Sequence, residues 1–420
     1  MRSAANSLAK TQTIFFVLMS ALAMVSVLFA GQALYGERER IATGYGDYVI
    51  YYSGAQIIRD GAGGDLYDLD QQRRYQVRFD VPIRKDVLPY NHPPYELLWH
   101  VPLTYLSYFN AFLVWSAINF GLLIGLARWF APSERFDLQL MSWLMLFGFY
   151  PVLTVFLHGQ DSILLLFLIA ASTVALKRRK PVAAGVLLAL ASFKPQIVLP
   201  IALAWSCKSY RKAAVAWLVS VTSLVLLSGL MVGIPGMLKY AELISWIDKT
   251  NYTINPALMP NLRGLIHLLL AAHSPSAVAP LTGLLTLSVF AYIVYLWRRA
   301  PFATEMEFDA TVALTVTLSA LASYHAYTHD FTVLLLPALM VARSIISATT
   351  IGAVDVLLLI VLLILWIPFP FSYGPLLQAE KLAWLALLIL VFAVLQAMQL
   401  LWLRHPSLPL QEKSFPSGGF

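Results

Sequence analysis

The sequence predicts an all-α polytopic integral membrane protein, a bundle of about ten to twelve transmembrane or re-entrant helices. Three observations predict it. Of 420 residues, 59% are hydrophobic and 12% charged, whereas about a quarter of a soluble domain is charged. Apolar segments approaching or exceeding the roughly 17–25 residues that cross a hydrocarbon core recur along most of the chain. The basic residues sit in short clusters between those segments. The net charge of +7 therefore reads as membrane orientation, and no nucleic-acid partner is expected. Runs such as "ILLLFLIAASTVAL" are apolar on every face, unlike the alternating strands of a barrel.

Hydropathy places spans at about 12–34, 105–129, 138–157, 160–177, 211–233, 278–298, 309–324, 330–346, 351–367 and 381–402, with a short apolar pair at 181–193 and 196–207. The first run, "TIFFVLMSALAMVSVLFAG", exceeds the 7–15 residues of a cleavable signal core and is read as a retained anchor. Arg2, Lys10, Arg128, Arg135, "KRRK" at 177–180, "KSYRK" at 208–212, Arg298, Arg299, Arg343 and Arg404 then fall on one side. By the positive-inside rule that side is cytoplasmic, with both termini, and a bacterial inner membrane is expected. Residues 1–405 form one membrane domain and 406–420 a disordered tail. Cys207 stands alone, so no intrachain disulfide forms.

The opposite side collects loops 35–104 and 234–277 and short turns at 158–160, 325–329 and 368–380. Loop 35–104 holds about ten of the 22 acidic residues, among them Asp47, Asp80, Asp86 and Glu96. In "GYGDYVIYYSGAQIIRDG", Tyr48, Tyr51, Tyr52, Ala55 and Ile58 recur at helical spacing, predicting an interfacial amphipathic helix with Asp47 at its N-terminus. A carboxylate there either caps orphan backbone N–H groups or acts as a base. In "YNHPPYELLWHVPLTYL", Pro93 and Pro94 end one element and start a second surface or re-entrant helix; His92 and His100 are read as capping or interfacial.

The turn in "YPVLTVFLHGQDSILLL" puts His158, Gln160 and Asp161 at the membrane edge, with Gly159 allowing the reversal and Asp161 suited to a helix N-terminus. The arms of the 181–207 pair reach only about 20 Å each, so a re-entrant hairpin is expected. Its apex, "SFKPQ", puts Lys194 in the apolar layer, where a charge costs about 2.5–3.5 kcal/mol. That ammonium either attracts a lipid phosphate or pairs with Asp161. Arg263 lies where loop 234–277 returns to the membrane, either clamping phosphate or snorkelling. In "LASYHAYTHDFTVLLLP", His325 and His329 stand four apart on one helical face beside Asp330; without a third ligand no metal is expected, and the imidazoles are read as donors to an anionic head.

"GDYVIYYSGAQIIRDGAGGDLYD", "HPPYELLWHVPLTYL", "HGQDSILLLFLIAA", "AAGVLLALASFKPQIVLP" and "SYHAYTHDFTVLLLP" occur in this order over roughly residues 45–340. The ordered set resembles the GT-C superfamily of lipid-dependent glycosyltransferases, most closely family 87, the polyprenyl-phosphate-mannose-dependent mannosyltransferase-like proteins. The resemblance implies a GT-C-like bundle and transfer of a single sugar, mannose first, from a polyprenyl-phosphate donor to a lipid or glycan acceptor on the extracytoplasmic face. It maps a catalytic aspartate onto Asp47 and a histidine turn near the donor phosphate onto His325 and His329. Arg263, Lys194, Gln160 and Tyr51 complete the expected donor and substrate contacts, with inversion and no cofactor or metal. A transporter or lipid flippase, and a polymerase or ligase using polyprenyl-linked donors, are the alternatives.

Overall fold

Backbone in hydrocarbon must satisfy its own N–H and C=O groups, so each long apolar run of this chain becomes a helix. The computed structural model describes residues 2–79, 87–130, 136–348 and 350–404. Asp80, Asp86, Arg135 and the tail 406–420 lie outside them. The helices are α1 (Arg2–Gly36), α2 (Arg38–Ala42), α3 (Tyr48–Arg59), α4 (Leu69–Gln76), α5 (Tyr108–Phe130), α6 (Phe136–Gly148), α7 (Tyr150–His158), α8 (Ser162–Lys177) and α9 (Pro181–Leu190). They continue as α10 (Pro195–Ala204), α11 (Arg211–Thr250), α12 (Leu262–Leu270), α13 (Pro275–Trp297), α14 (Glu305–Ala322), α15 (Leu335–Ser347), α16 (Ala353–Leu365), α17 (Tyr373–Gln378) and α18 (Leu385–Leu403). No strand occurs among the described residues. The protein is an all-α polytopic membrane protein, and six of its described helical segments are long and apolar enough to cross a bilayer.

Four expectations are corrected. The span read at 138–157 is two helices: Phe149 is extended (φ −79°, ψ 119°) and Pro151 opens α7, where its missing N–H costs nothing. Residues 234–250 are helical rather than loop, because the break at Gly233 (φ 68°, ψ 172°) redirects the chain instead of ending the helix. α3 is no surface helix. Tyr48 through Ala55 and Ile57 are all buried, since short 3-10 helices at Pro94–Trp99 and Val101–Tyr105 pack on it. Those same turns stand where a regular second helix was expected, shortened by the prolines at 93, 94 and 102.

The short helices position the site. α8 runs about 24 Å to the basic edge at 177–180 and α9 with its terminal turn returns about 20 Å along it. α9 packs between α8 and α11, and α10 runs on against α13 and α14. Lys194, between α9 and α10, therefore arrives beside the start of α8. A 3-10 segment, Thr328–Leu334, packs on both α7 and α8 and leads into α15.

Candidate active site

Three chain reversals meet at the end of the bundle opposite the basic clusters: the start of α3, the α7–α8 turn and the residues between α14 and α15. Gly46 allows the first approach, because a Cβ there would stand 3.2 Å from the backbone of His158. Asp47 follows, at the N-terminus of α3 as expected. It does not cap. Its backbone is already helical (φ −72°, ψ −12°), not extended as an N-cap requires, and its side chain makes no capping bond. Instead Gln160 Nε2 donates to Asp47 Oδ2 at 2.8 Å. His158 Nδ1 lies 3.6 Å from the same oxygen, and the aspartate side chain is 28% exposed.

Gly159 makes this possible. It ends α7 in the left-handed region (φ 68°), and any side chain there would run into Tyr48. Gln160 is then held at three further points: its N–H donates to Val155 O (3.1 Å), its C=O accepts from Trp115 Nε1 (3.2 Å), and its Oε1 accepts from the Tyr51 hydroxyl (2.9 Å). A carboxylate only accepts, so the amide nitrogen must face Asp47 and the amide oxygen Tyr51.

Beneath this lies a buried charge cluster. Lys194 Nζ is 2.6 Å from Asp161 Oδ1 and 2.6 Å from Asp330 Oδ1, and donates to Ser162 Oγ at 2.9 Å. Of the two readings of Lys194, the pairing with Asp161 is the one seen, joined by Asp330. Asp161 likewise makes no capping bond. His92 Nδ1 sits 2.9 Å from Glu96 Oε2 and 3.9 Å from Asp161 Oδ2. Burial, with Asp161 alongside, pushes the Glu96 carboxyl well above the carboxylate range, and burial pushes His92 down to about 4. A neutral Glu96–His92 pair therefore borders a charged Lys–Asp–Asp triad. His92, Glu96 and Asp161 bring three potential metal-ligand atoms within 4.8 Å of one another, and the Lys194 ammonium stands 2.6 Å from the Asp161 carboxylate of that set.

The third reversal is pinned by Asn261 Nδ2 to Ser323 O (2.9 Å), Gln196 Nε2 to His325 O (3.0 Å) and Asn255 N to the Tyr327 hydroxyl (2.9 Å). Asp330 Oδ2 accepts from Tyr327 N (2.9 Å) and starts a new helix at Thr328. His325 precedes that start, so the two histidines share no helical face; both are partly exposed. Burial pushes His325 down to about 4. His329 Nε2 lies 3.5 Å from Asp330 Oδ2. Arg263 is paired with Asp248 (3.1 Å) and lies over the Tyr324 ring (4.1 Å), tying α11 to this turn.

Residues 90–324, more than half of the chain, match glycosyltransferase family 87. The chain belongs to glycosyltransferase family 87. No curated protein and no solved structure matches it. In this glycosyltransferase the matched stretch takes in Glu96, Gln160, Asp161, Lys194 and Arg263, while Asp47 precedes it and His325 and His329 follow it.

Sequence reasoning missed Glu96 as part of the cluster; its signal was an acid set in the apolar stretch "YELLW". It also placed Tyr51 and His100 too near the surface. Both are fully buried and stacked on each other (ring centroids 5.0 Å), with Trp115 4.4 Å from His100. Burial pushes the His100 imidazole down to about 3, whereas an unfolded histidine protonates near 6.5. Between those values the unfolded glycosyltransferase holds one more proton than the folded one. Stability therefore falls on acidification, by about 1.4 kcal/mol per pH unit for this group. His100→Phe keeps a ring in the stack and should flatten the dependence of the melting midpoint on pH between 7 and 5. An unchanged slope contradicts this.

Proposed function

We propose that this family 87 glycosyltransferase moves a single hexose, mannose first, from a polyprenyl-phosphate sugar to an acceptor hydroxyl of a lipid or glycan, with Asp47 as general base. The observation that carries the proposal is the Asp47 carboxylate: at a helix start, uninvolved in capping, partly exposed and oriented by Gln160. Asp47 takes the proton of the acceptor hydroxyl as its oxygen bonds to the anomeric carbon. The bond from that carbon to the phosphate oxygen breaks, and polyprenyl phosphate leaves with the electron pair. Displacement in line inverts the anomeric centre. General-base assistance of this kind contributes typically 10²–10⁴-fold.

The leaving group is an anion and needs charge stabilisation rather than a proton. In this reading His325 and His329, partly exposed beside the 323–330 turn, donate hydrogen bonds to the phosphate, and Arg263, paired with Asp248, holds that turn from behind Tyr324. Lys194 acts indirectly, as the countercharge of the cluster below. The positions of the basic clusters support an extracytoplasmic site with both termini cytoplasmic in a bacterial inner membrane. A transport pathway is less well supported, because the buried lysine is held by two carboxylates.

The experiment offers the purified protein two donors, polyprenyl-phosphate mannose and a polyprenyl-pyrophosphate oligosaccharide. Transfer of one mannose, with the product's anomeric configuration opposite to the donor's by NMR, is expected. Use of the oligosaccharide donor alone would replace this reading with that of a polymerase or ligase.

A further inference from the structure

We propose that Gln160 is a positioning residue for Asp47, its amide fixed by Tyr51, rather than a group that touches substrate. The inference rests on the reading of Asp47 as the base. Each polar atom of Gln160 has a partner in the protein: backbone N–H and C=O in Val155 and Trp115, Oε1 in Tyr51 and one Nε2 hydrogen in Asp47. The residue is 5% exposed.

Tyr51 is equally constrained. Its ring stacks on His100 and meets His92 and Tyr90 edge-on at 5.5 and 6.3 Å, and its hydroxyl donates to Gln160 Oε1. The hydroxyl selects the amide orientation, and the amide selects the orientation of the carboxylate. Tyr51, Gln160 and Asp47 come from two segments 109 residues apart, joined only because Gly46 and Gly159 let the α3 start lie against the α7–α8 turn. An N–H donated to a carboxylate favours its ionised form, and on Asp47 that donor shares Oδ2 with His158 Nδ1 at 3.6 Å.

A carbodiimide consumes protonated carboxyl groups, and labelling at Asp47 can be followed by peptide mass spectrometry on the full-length protein in nanodiscs at pH 6. Gln160→Leu removes the donor and should speed labelling at Asp47 about tenfold. Gln160→Glu sets a second carboxyl against it and should also speed labelling, since two adjacent carboxylates share a proton. Tyr51→Phe frees the amide to turn and should give a smaller increase in the same direction.

With polyprenyl-phosphate mannose as donor, each variant should lower kcat and leave KM unchanged. Unaltered labelling in all three variants, or a raised KM with kcat intact, overturns the proposal. A wild-type protein that transfers no mannose refutes the proposed function, while the labelling series still decides whether Gln160 holds Asp47.

Discussion

Replacing Lys194 with methionine should destabilise the folded protein by about 3–5 kcal/mol, the cost of removing one partner from a buried charge group. Lys194, Asp161 and Asp330 expose 4%, 1% and 4% of their side chains, so no water can take over the lost contacts. Two carboxylates would remain against each other and against Glu96. The damage is also mechanical. The ammonium is the point where the apex between α9 and α10, the start of α8 and the helix opened by Asp330 are joined. Thermal unfolding in detergent measures the loss directly. The double variant Lys194→Met with Asp161→Asn should recover part of it, because one uncompensated charge has gone. A single variant that melts like the wild type would mean that the cluster holds nothing together.

Asp47→Asn should behave in the opposite way, with a large loss of transfer and little change in stability. Asparagine is isosteric, and its amide oxygen can accept the Gln160 N–H that the carboxylate accepts at 2.8 Å. No capping bond is lost, since none is made. What disappears is the ability to take a proton, so kcat should fall by about 10²–10⁴. The melting midpoint should change little, because the side chain is partly exposed and no cap is broken. An unchanged kcat beside a stability loss of the size expected for an N-cap, roughly 1 kcal/mol, would instead assign Asp47 to the helix.

The spans were legible because hydrophobic length is a local property. The runs that became α8, α13 and α18 are apolar enough to read without tertiary information. Lys194 and the polar turns at 158–161 and 325–330 stood out for a related reason: each interrupts an apolar stretch, where polar groups are costly.

Their arrangement was not legible. Lys194 and Asp330 are 136 residues apart, and nothing local distinguishes an ammonium that meets a ligand from one that meets two aspartates. The partner of Arg263 was hidden because Asp248 sits on the stretch of α11 read as loop beyond Gly233. α3 was misplaced because its tyrosine stripe fits an interface and a buried helix equally well. Only the 3-10 turns folding over it decide, and their prolines announce a break without saying what the broken chain will cover.

The central claim is that Asp47 is the base of a sugar transfer from a lipid phosphate. Its most direct test compares transfer of labelled sugar from a panel of polyprenyl-phosphate sugars by membranes holding matched amounts of wild type and Asp47→Asn. The account predicts protein-dependent transfer, with mannose the preferred sugar, that collapses in the variant. Equal transfer by both proteins, or none from any donor in the panel, would contradict it.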